Sequence, residues 1–420
     1  MSLPSADEAR ARMLACITPL VPETALLTGA VGRVSAAPVR AARDQPPFDA
    51  SSMDGWAVRR ADALHSTHGL QIVGESAAGR PWPGTLEPGQ AVRISTGAPL
   101  PAGADLVVIQ EEAVREGERV RVGPLQDRPT YIRPAGCDFR AGCELLPPGL
   151  TLTSWSLALA AASGAATLTV ARRPRLAILT TGDELAVAGE SAQPHQIFDS
   201  AGPAVAAACT GWGAEVLGIR RAGDSLDAVR AALDGLEVDL VVTIGGASVG
   251  DHDVVKPALR TLGLELVVDG VAVRPGKPTW FGRLDEGRVV LGLPGNPVSA
   301  LVCAELFLKP LLARLQNTVA AAVFLPVQAA SSVSRNGPRE HFLRGRLSAG
   351  RGGALQAEVA ADQDSSLVSV LARSNALIRR PPNAPAAEPG ELIAAALLGP
   401  LPLGDELASG LSRPSGGDLA

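Results

Sequence analysis

Lysine is almost missing from this sequence. Only Lys256, Lys277 and Lys309 occur in 420 residues, and arginine carries the rest of the 38 positive charges. A coding bias would produce such a shortage as readily as selection, but it makes lysine positions informative, because the chain uses arginine where it can. A charge excess is missing too. The formal net charge is −5, which gives no general nucleic-acid binder the basic face it needs. The five cysteines are odd in number and form no Cys-x-x-Cys pair, and the opening MSLPSADEARARML has no apolar leader segment. These absences imply a reduced, cytoplasmic protein and exclude a disulfide scaffold. One stretch, Thr151 to Ala171, carries no charge; its Ala, Ser, Thr and Gly content fits a buried helix running into a strand, not a membrane span. No Gly-x-Ser-x-Gly elbow, phosphate-loop lysine motif or Gly-x-Gly-x-x-Gly dinucleotide fingerprint occurs, which removes the commonest hydrolases and nucleotide enzymes.

What is present is a globular composition, with 46% apolar and 19% charged residues, and a length that at ~150 residues per domain gives roughly three domains. Forty-five glycines and 34 prolines imply many turns. SADE at 5–8 is a capping-box pattern ahead of an amphipathic run with Met13, Leu14 and Ile17. From about 45 to 150, short apolar runs such as AVRIS (91–95) and DLVVIQ (105–110) lie between Gly/Pro turns, as in a β-rich domain. From about 173 strands and helices alternate: RLAIL (175–179), a helix near Asp199, EVLGI (215–219), SLDAVRAALDGL (225–236), DLVVTI (239–244), a helix near Asp253, RVVLGL (288–293) and a long helix over 296–315. Such alternation predicts a parallel α/β sheet covered on both faces. Asn296 and Pro297 supply an N-cap and an N1 proline to the last helix. Short strands and turns return at 322–400, and the Gly/Ser/Pro-rich tail reads as frayed.

Ligands of open parallel sheets bind at the carboxyl ends of the strands. Each expected strand end here carries a small polar loop: TTGDEL (180–185), TIGGASVGDHD (243–253), VRPGKP (273–278) and GLPGNPVSA (292–300). Glycine loops that lead into helix N-termini suit phosphate. Any one of them makes an ordinary turn; four in succession argue for a ligand. Asp183, Glu184, Asp251 and Asp253 lie in the same loops. Carboxylates beside phosphate require an intervening cation, so Mg²⁺ is expected, with helix capping as the bland role for Asp199 or Asp253. Lys256 and Lys277 flank the region, and scarcity favours a functional role for Lys277. His65 and His68 have a metal-like spacing but no partners, and His252 stays open. In QPPFDASSMDGWAV (45–58), Asp49 reads as a turn former.

The ordered motifs PPFDASSMDGWAV, RISTGAPLPAGAD, TTGDEL, GGASVGDHD, RPGKP and GLPGNPVSA resemble the molybdopterin molybdenumtransferases, the MoeA/gephyrin E-domain family, over residues from about 5 to about 400. The resemblance implies an elongated homodimer of four-domain subunits: a helical and extended linking domain from residues 1–45 and 139–172, a β-rich domain at 46–138, a central parallel-sheet α/β molybdopterin-binding domain at 173–320 and a C-terminal β-barrel-like domain at 321–403, followed by a flexible tail at 404–420. It implies divalent-cation-dependent insertion of molybdate into adenylylated molybdopterin with release of AMP, the upstream molybdopterin adenylyltransferase as a candidate partner, and no nucleic acid or membrane. Carried onto this sequence, the catalytic set is Asp54, Thr96, Asp138, Arg274 and Lys277. Substrate would be bound by Gly182, Asp183, Gly245, Gly246, Ser248, Gly250, Pro294, Gly295, Asn296, Pro297, Ser365 and Ser369, and Mg²⁺ by Glu184 and Asp253. Arg274 stands where the family usually has lysine; Ala50 and Trp56 replace its frequent asparagine and tyrosine. Asp54 lies outside the α/β domain, so the expected cleft joins the central domain of one subunit to the Asp54-bearing segment of its partner. A tungsten-selective insertase and a non-catalytic scaffold are the alternatives.

Overall fold

The computed structural model describes residues 3–65, 68–123, 129–246, 254–284, 287–320, 322–349 and 353–401. The chain forms two compact units. One is residues 23–170, and the other joins residues 1–22 to everything from 171 onward.

The larger unit is built on a six-stranded sheet in the order Glu215–Ala222, Arg175–Thr181, Leu240–Ile244, Val289–Leu293, Trp280–Arg283, Glu265–Asp269. The first four strands are parallel, as the alternating sequence predicts, and the last two extend the sheet antiparallel. The central strands are buried on both faces (Leu240–Ile244 has no exposed residue), which is why they read as continuous apolar runs and not as alternation. Helices Ala201–Gly211, Leu226–Leu233 and Val255–Arg260 occupy the expected segments. The segment 297–315 runs as Pro297–Cys303, a π-helical turn at Ala304–Leu308 and Lys309–Leu315. Leu291, Leu293, Phe281, Val302 and Phe307 share one core with Ala9 and Met13 of the N-terminal helix.

That helix, Ala6–Ala15, starts on the expected capping box: the Ser5 side chain accepts from the Glu8 amide, and the Glu8 carboxylate accepts from Ser5 N. Past the α/β layers, strands Leu325–Ala329, Glu340–Ala349, Leu355–Val359, Ala376–Arg380 and Leu392–Leu397 close into a barrel, because Glu340–Ala349 pairs with both Leu355–Val359 and Ala376–Arg380. Val273–Arg274 leaves the α/β layers to pair with this barrel, setting Arg274 opposite His341. Phe342 and Leu377 pack into the α/β core, so barrel and sheet share apolar contacts.

The unit 23–170 holds a second six-stranded sheet, in the order Leu106–Ile109, Gly55–Val58, Gln90–Ile94, Leu70–Ser76, Arg119–Val122, Ala113–Glu116. The uncharged run becomes helix Ser154–Ala162 followed by strand Thr167–Val170. The helix is not buried as the composition suggests: Trp155 is 86% exposed and only Ala160 is fully covered. No helix among the described residues is long and apolar enough to cross a membrane.

Candidate functional site

The carboxyl ends of the parallel strands Arg175–Thr181, Leu240–Ile244 and Val289–Leu293 open into a cleft of about 1160 Å³. All four polar loops of the sequence meet there. Its walls include Thr180, Thr181, Gly182 and Glu184 from the first, Gly245 and Gly246 from the second, Lys277 from the third, and Pro294, Gly295, Asn296 and Pro297 from the fourth. The bland reading, four unrelated turns, does not place them around one cavity.

The polar groups of this cleft divide into engaged and free. Asp199 is engaged: its Oδ1 accepts from Gly202 N at 2.9 Å, the capping role open to it from sequence. Lys256 pairs with Asp269 at 3.1 Å. Asp183 does not line the cleft; its carboxylate turns to the neighbouring loop and accepts from Asp224 N at 3.4 Å. Asn296 caps its helix without a side-chain hydrogen bond and instead donates from Nδ2 to Ser365 Oγ at 2.8 Å, tying the cleft to a loop of the barrel. Val298 N also donates to Ser365 O. Ser366 and Val368 line the cleft beside this link, whereas Ser369 lies on the Val368–Arg373 helix outside it. Among the described residues, neither the Lys277 ammonium nor the Glu184 carboxylate has a side-chain partner. The Thr180 and Thr181 hydroxyls are buried with no hydrogen-bond partner among the described residues. Leaving buried polar atoms unpaired is costly unless something else satisfies them.

Arg274 and Lys277 belong to a loop held close to the α/β core. A Cβ on Gly276, whose φ is +108°, would lie 2.1 Å from Cys303 Sγ, so only glycine fits between the two charged residues. Behind Arg274, the Arg344 side chain is fully buried. Its Nη2 donates to Asp364 O at 2.9 Å, while Nε and Nη1 have no partner. Burial pushes the neighbouring His341 imidazole down to about 4, helped by the charges of Arg274, Arg344 and Arg339. This buried cluster lies behind the loop and outside the lining of the cleft, which Lys277 alone of the two loop cations reaches.

In the unit 23–170, Asp54 Oδ1 accepts from Thr96 N at 2.6 Å and from Thr96 Oγ1 at 2.9 Å. These hydrogen bonds hold the Asp54 carboxyl below its ordinary range, with a smaller contribution from Arg93. The neighbouring Gly55 is obligatory, because a Cβ there would meet Val108 O at 2.0 Å across the ladder. Asp49 is not a local turn former. Its carboxylate accepts from Ala135 N at 2.8 Å, 86 residues away, and fastens two loops together. Those loops frame a depression of about 540 Å³ in which Asp138 stands with Arg43, Arg133 and Cys137.

Ser248, Gly250 and Asp253 lie outside the described residues. Asp224 lines the cleft, and Arg344 is buried behind it; neither was expected from the sequence. Asp224 follows Ala222–Gly223 at a parallel strand end, a signal of the kind used for the other loops; Arg344 lies inside a strand and announces nothing.

Three family models match the chain in succession: the MoeA N-terminal region (domains I and II) over residues 4–164, a probable molybdopterin-binding domain over 177–314, and the MoeA C-terminal region (domain IV) over 326–398. A protein of Nostoc sp. named molybdopterin molybdenumtransferase is 37% identical over 331 residues, covering 76% of each chain. The like-named protein of Haemophilus influenzae is 34% identical over 378 residues, covering 89% of this chain and 93% of its own. The chain belongs to the molybdopterin molybdenumtransferase family. The crystal structure of a molybdopterin biosynthesis MoeA protein from Pyrococcus horikoshii superposes with a TM-score of 0.80 at 27% identity, covering 95% of this chain and all of that one. Within this family frame, the middle model coincides with the α/β layers that bear the cleft.

The cleft also permits a test of the expected cation. Among the described residues no three His, Cys, Asp or Glu side chains converge as a closed metal cage. A free carboxylate at Glu184 in a wall of backbone and hydroxyl groups fits a cation such as Mg²⁺, which takes one or two protein carboxylates and completes its shell with substrate phosphate and water.

Proposed function

We propose that this chain carries out the insertion step of molybdenum cofactor biosynthesis, transferring molybdenum from molybdate to adenylylated molybdopterin and releasing AMP. The observation that carries this reading is the cleft itself, where four strand-end loops converge around a free ammonium and a free carboxylate. The substrate brings together phosphates, two thiolates and an incoming oxyanion, and their mutual repulsion is the barrier the protein must lower. Lys277 supplies positive charge to the cleft, with Arg274 three residues earlier on the same loop but outside its lining, and the glycine-rich turns at Gly182, Gly245 and Gly246 leave the backbone open to phosphate. Glu184 would hold Mg²⁺, with Asp253 as the second expected ligand; the ion would polarise the phosphoanhydride on its way to AMP. Asp54, kept ionised by Thr96, acts as an acceptor and not as an acid. Asp138 stands beside two arginines and is the second acidic group of that unit.

Homodimerisation is part of this proposal. The Trp155-bearing helix exposes an uncharged face with Leu26 and Val31 also exposed in that unit, an apolar surface of the kind that a subunit interface covers. The upstream molybdopterin adenylyltransferase would deliver the substrate. Incubating the purified protein with adenylylated molybdopterin, Mg²⁺ and molybdate should give AMP and molybdenum cofactor together. Neither product at saturating substrate would refute the proposal and leave the scaffold reading. Replacing molybdate with tungstate separates the tungsten-selective alternative, which requires faster turnover with tungstate.

A further inference from the structure

One apolar feature of the cleft has no role in the charge chemistry above. Ile197 and Phe198 line it and are 61% and 51% exposed. Phe198 is the one aromatic residue of its unit, among the described residues, that is classed as exposed; Trp280, Phe281, Phe307 and Phe342 are all in the core. Its placement is fixed by backbone. The short strand Ile197–Phe198 pairs in parallel with Leu185–Ala186, Ile197 N donates to Glu184 O at 2.8 Å, and Asp199 N donates to Ala186 O at 2.9 Å. The ring is therefore held on the same small ladder that carries Glu184. A half-exposed ring in a concave site whose lining holds no other aromatic side chain, beside aliphatic residues such as Leu185 and Ile244, is a surface suited to being covered by a flat ligand. Thr180 and Thr181 line the same cavity.

We propose that Phe198, with Ile197 beside it, is the platform on which a flat fused-ring nitrogen heterocycle carrying a phosphate stacks. Phe198 thus selects heterocyclic phosphates over bare sugar phosphates at the site where Glu184 and the glycine loops meet the phosphate. The inference rests on the insertion reading for the identity of the substrate, which contains two such heterocycles, the adenine and the pterin.

Equilibrium titration calorimetry on the full chain, with no turnover required, tests it. The probes are AMP, hydroxymethylpterin phosphate and ribose phosphate, each titrated into wild-type, Phe198→Ala and Phe198→Tyr proteins. Phe198→Ala should weaken binding of one heterocyclic probe by roughly tenfold, the scale of a lost base–aromatic stack, while ribose phosphate binding is unchanged and Phe198→Tyr retains the affinity. A loss confined to AMP assigns the platform to the purine, and a loss confined to the pterin phosphate assigns it to the pterin. The proposal is overturned if Phe198→Ala binds both heterocycles as wild type does, if ribose phosphate weakens in parallel, or if wild-type protein prefers neither heterocycle to ribose phosphate. Each of those results leaves the insertion reading standing, because that depends on molybdate-dependent turnover.

Discussion

The cleft of the α/β unit and the Asp54–Thr96 pair of the other unit treat their polar groups in opposite ways. In the cleft, among the described residues, Lys277 and Glu184 have no side-chain partner and two threonine hydroxyls are buried unpaired. At Asp54 the carboxylate already accepts two hydrogen bonds from one threonine. The first arrangement leaves charge available for a ligand, and its residues contribute little to folding. The second fixes the position and ionisation of a carboxylate in advance, so that its geometry is built before anything binds. The difference separates residues whose loss should appear only in activity from residues whose loss should also disturb local structure.

Substitutions can break that distinction. Lys277→Ala should lower the insertion rate by about a hundredfold to a thousandfold, the scale for removing one charge-stabilising group, with an unchanged melting temperature; a large drop in melting temperature would mean the ammonium is structural. Asp54→Asn should cost about a hundredfold in rate, measured the same way, and adding Thr96→Val to it should cost little more, because the two act as one unit. If the two losses multiply, Thr96 has a role apart from holding Asp54. Gly276→Ala combines a positive φ with a Cβ 2.1 Å from Cys303 Sγ, and chemical denaturation should show a loss of roughly 2–4 kcal/mol. Asn296→Ala, which removes the link to Ser365, should destabilise by about 1 kcal/mol and raise the KM for the adenylylated substrate.

The smallest effect concerns pH. His341 is neutral in the folded chain because burial and three arginines hold its pKa at about 4, below the ordinary 6.5. The unfolded chain therefore binds the extra proton between these values, so stability is full above pH 6.5 and declines as the pH falls toward 4. His341→Gln should flatten this part of the melting-temperature profile, which can be followed by circular dichroism between neutral pH and mild acid.

Much of the α/β architecture is legible because its strands are buried on both faces and end in loops with distinctive chemistry. The same loops form the cleft, including Lys277, which has no side-chain partner among the described residues, whereas Lys256 pairs with Asp269 and Lys309 with Glu305. What could not be read follows from long-range contacts. Asp49 seeks an amide 86 residues away and not its own turn, and Asn296 spends its side chain on Ser365 instead of its own helix. The two antiparallel strands at the sheet edge and the exposure of Trp155 depend on what neighbours each segment in space, which periodicity does not record. Arg344 was invisible because a charged residue in a strand normally faces water, and here it is fully covered.

The central claim is that the strand-end cleft performs insertion, with Lys277 as its free positive charge. The most direct test is a single-turnover experiment in which wild-type and Lys277→Ala proteins are mixed with adenylylated molybdopterin and Mg²⁺, with and without molybdate, while AMP and molybdenum cofactor are measured together. The account predicts molybdate-dependent formation of both products by wild type and loss of both, by at least about a hundredfold, in the correctly folded variant. Equal product formation by the two proteins would contradict it.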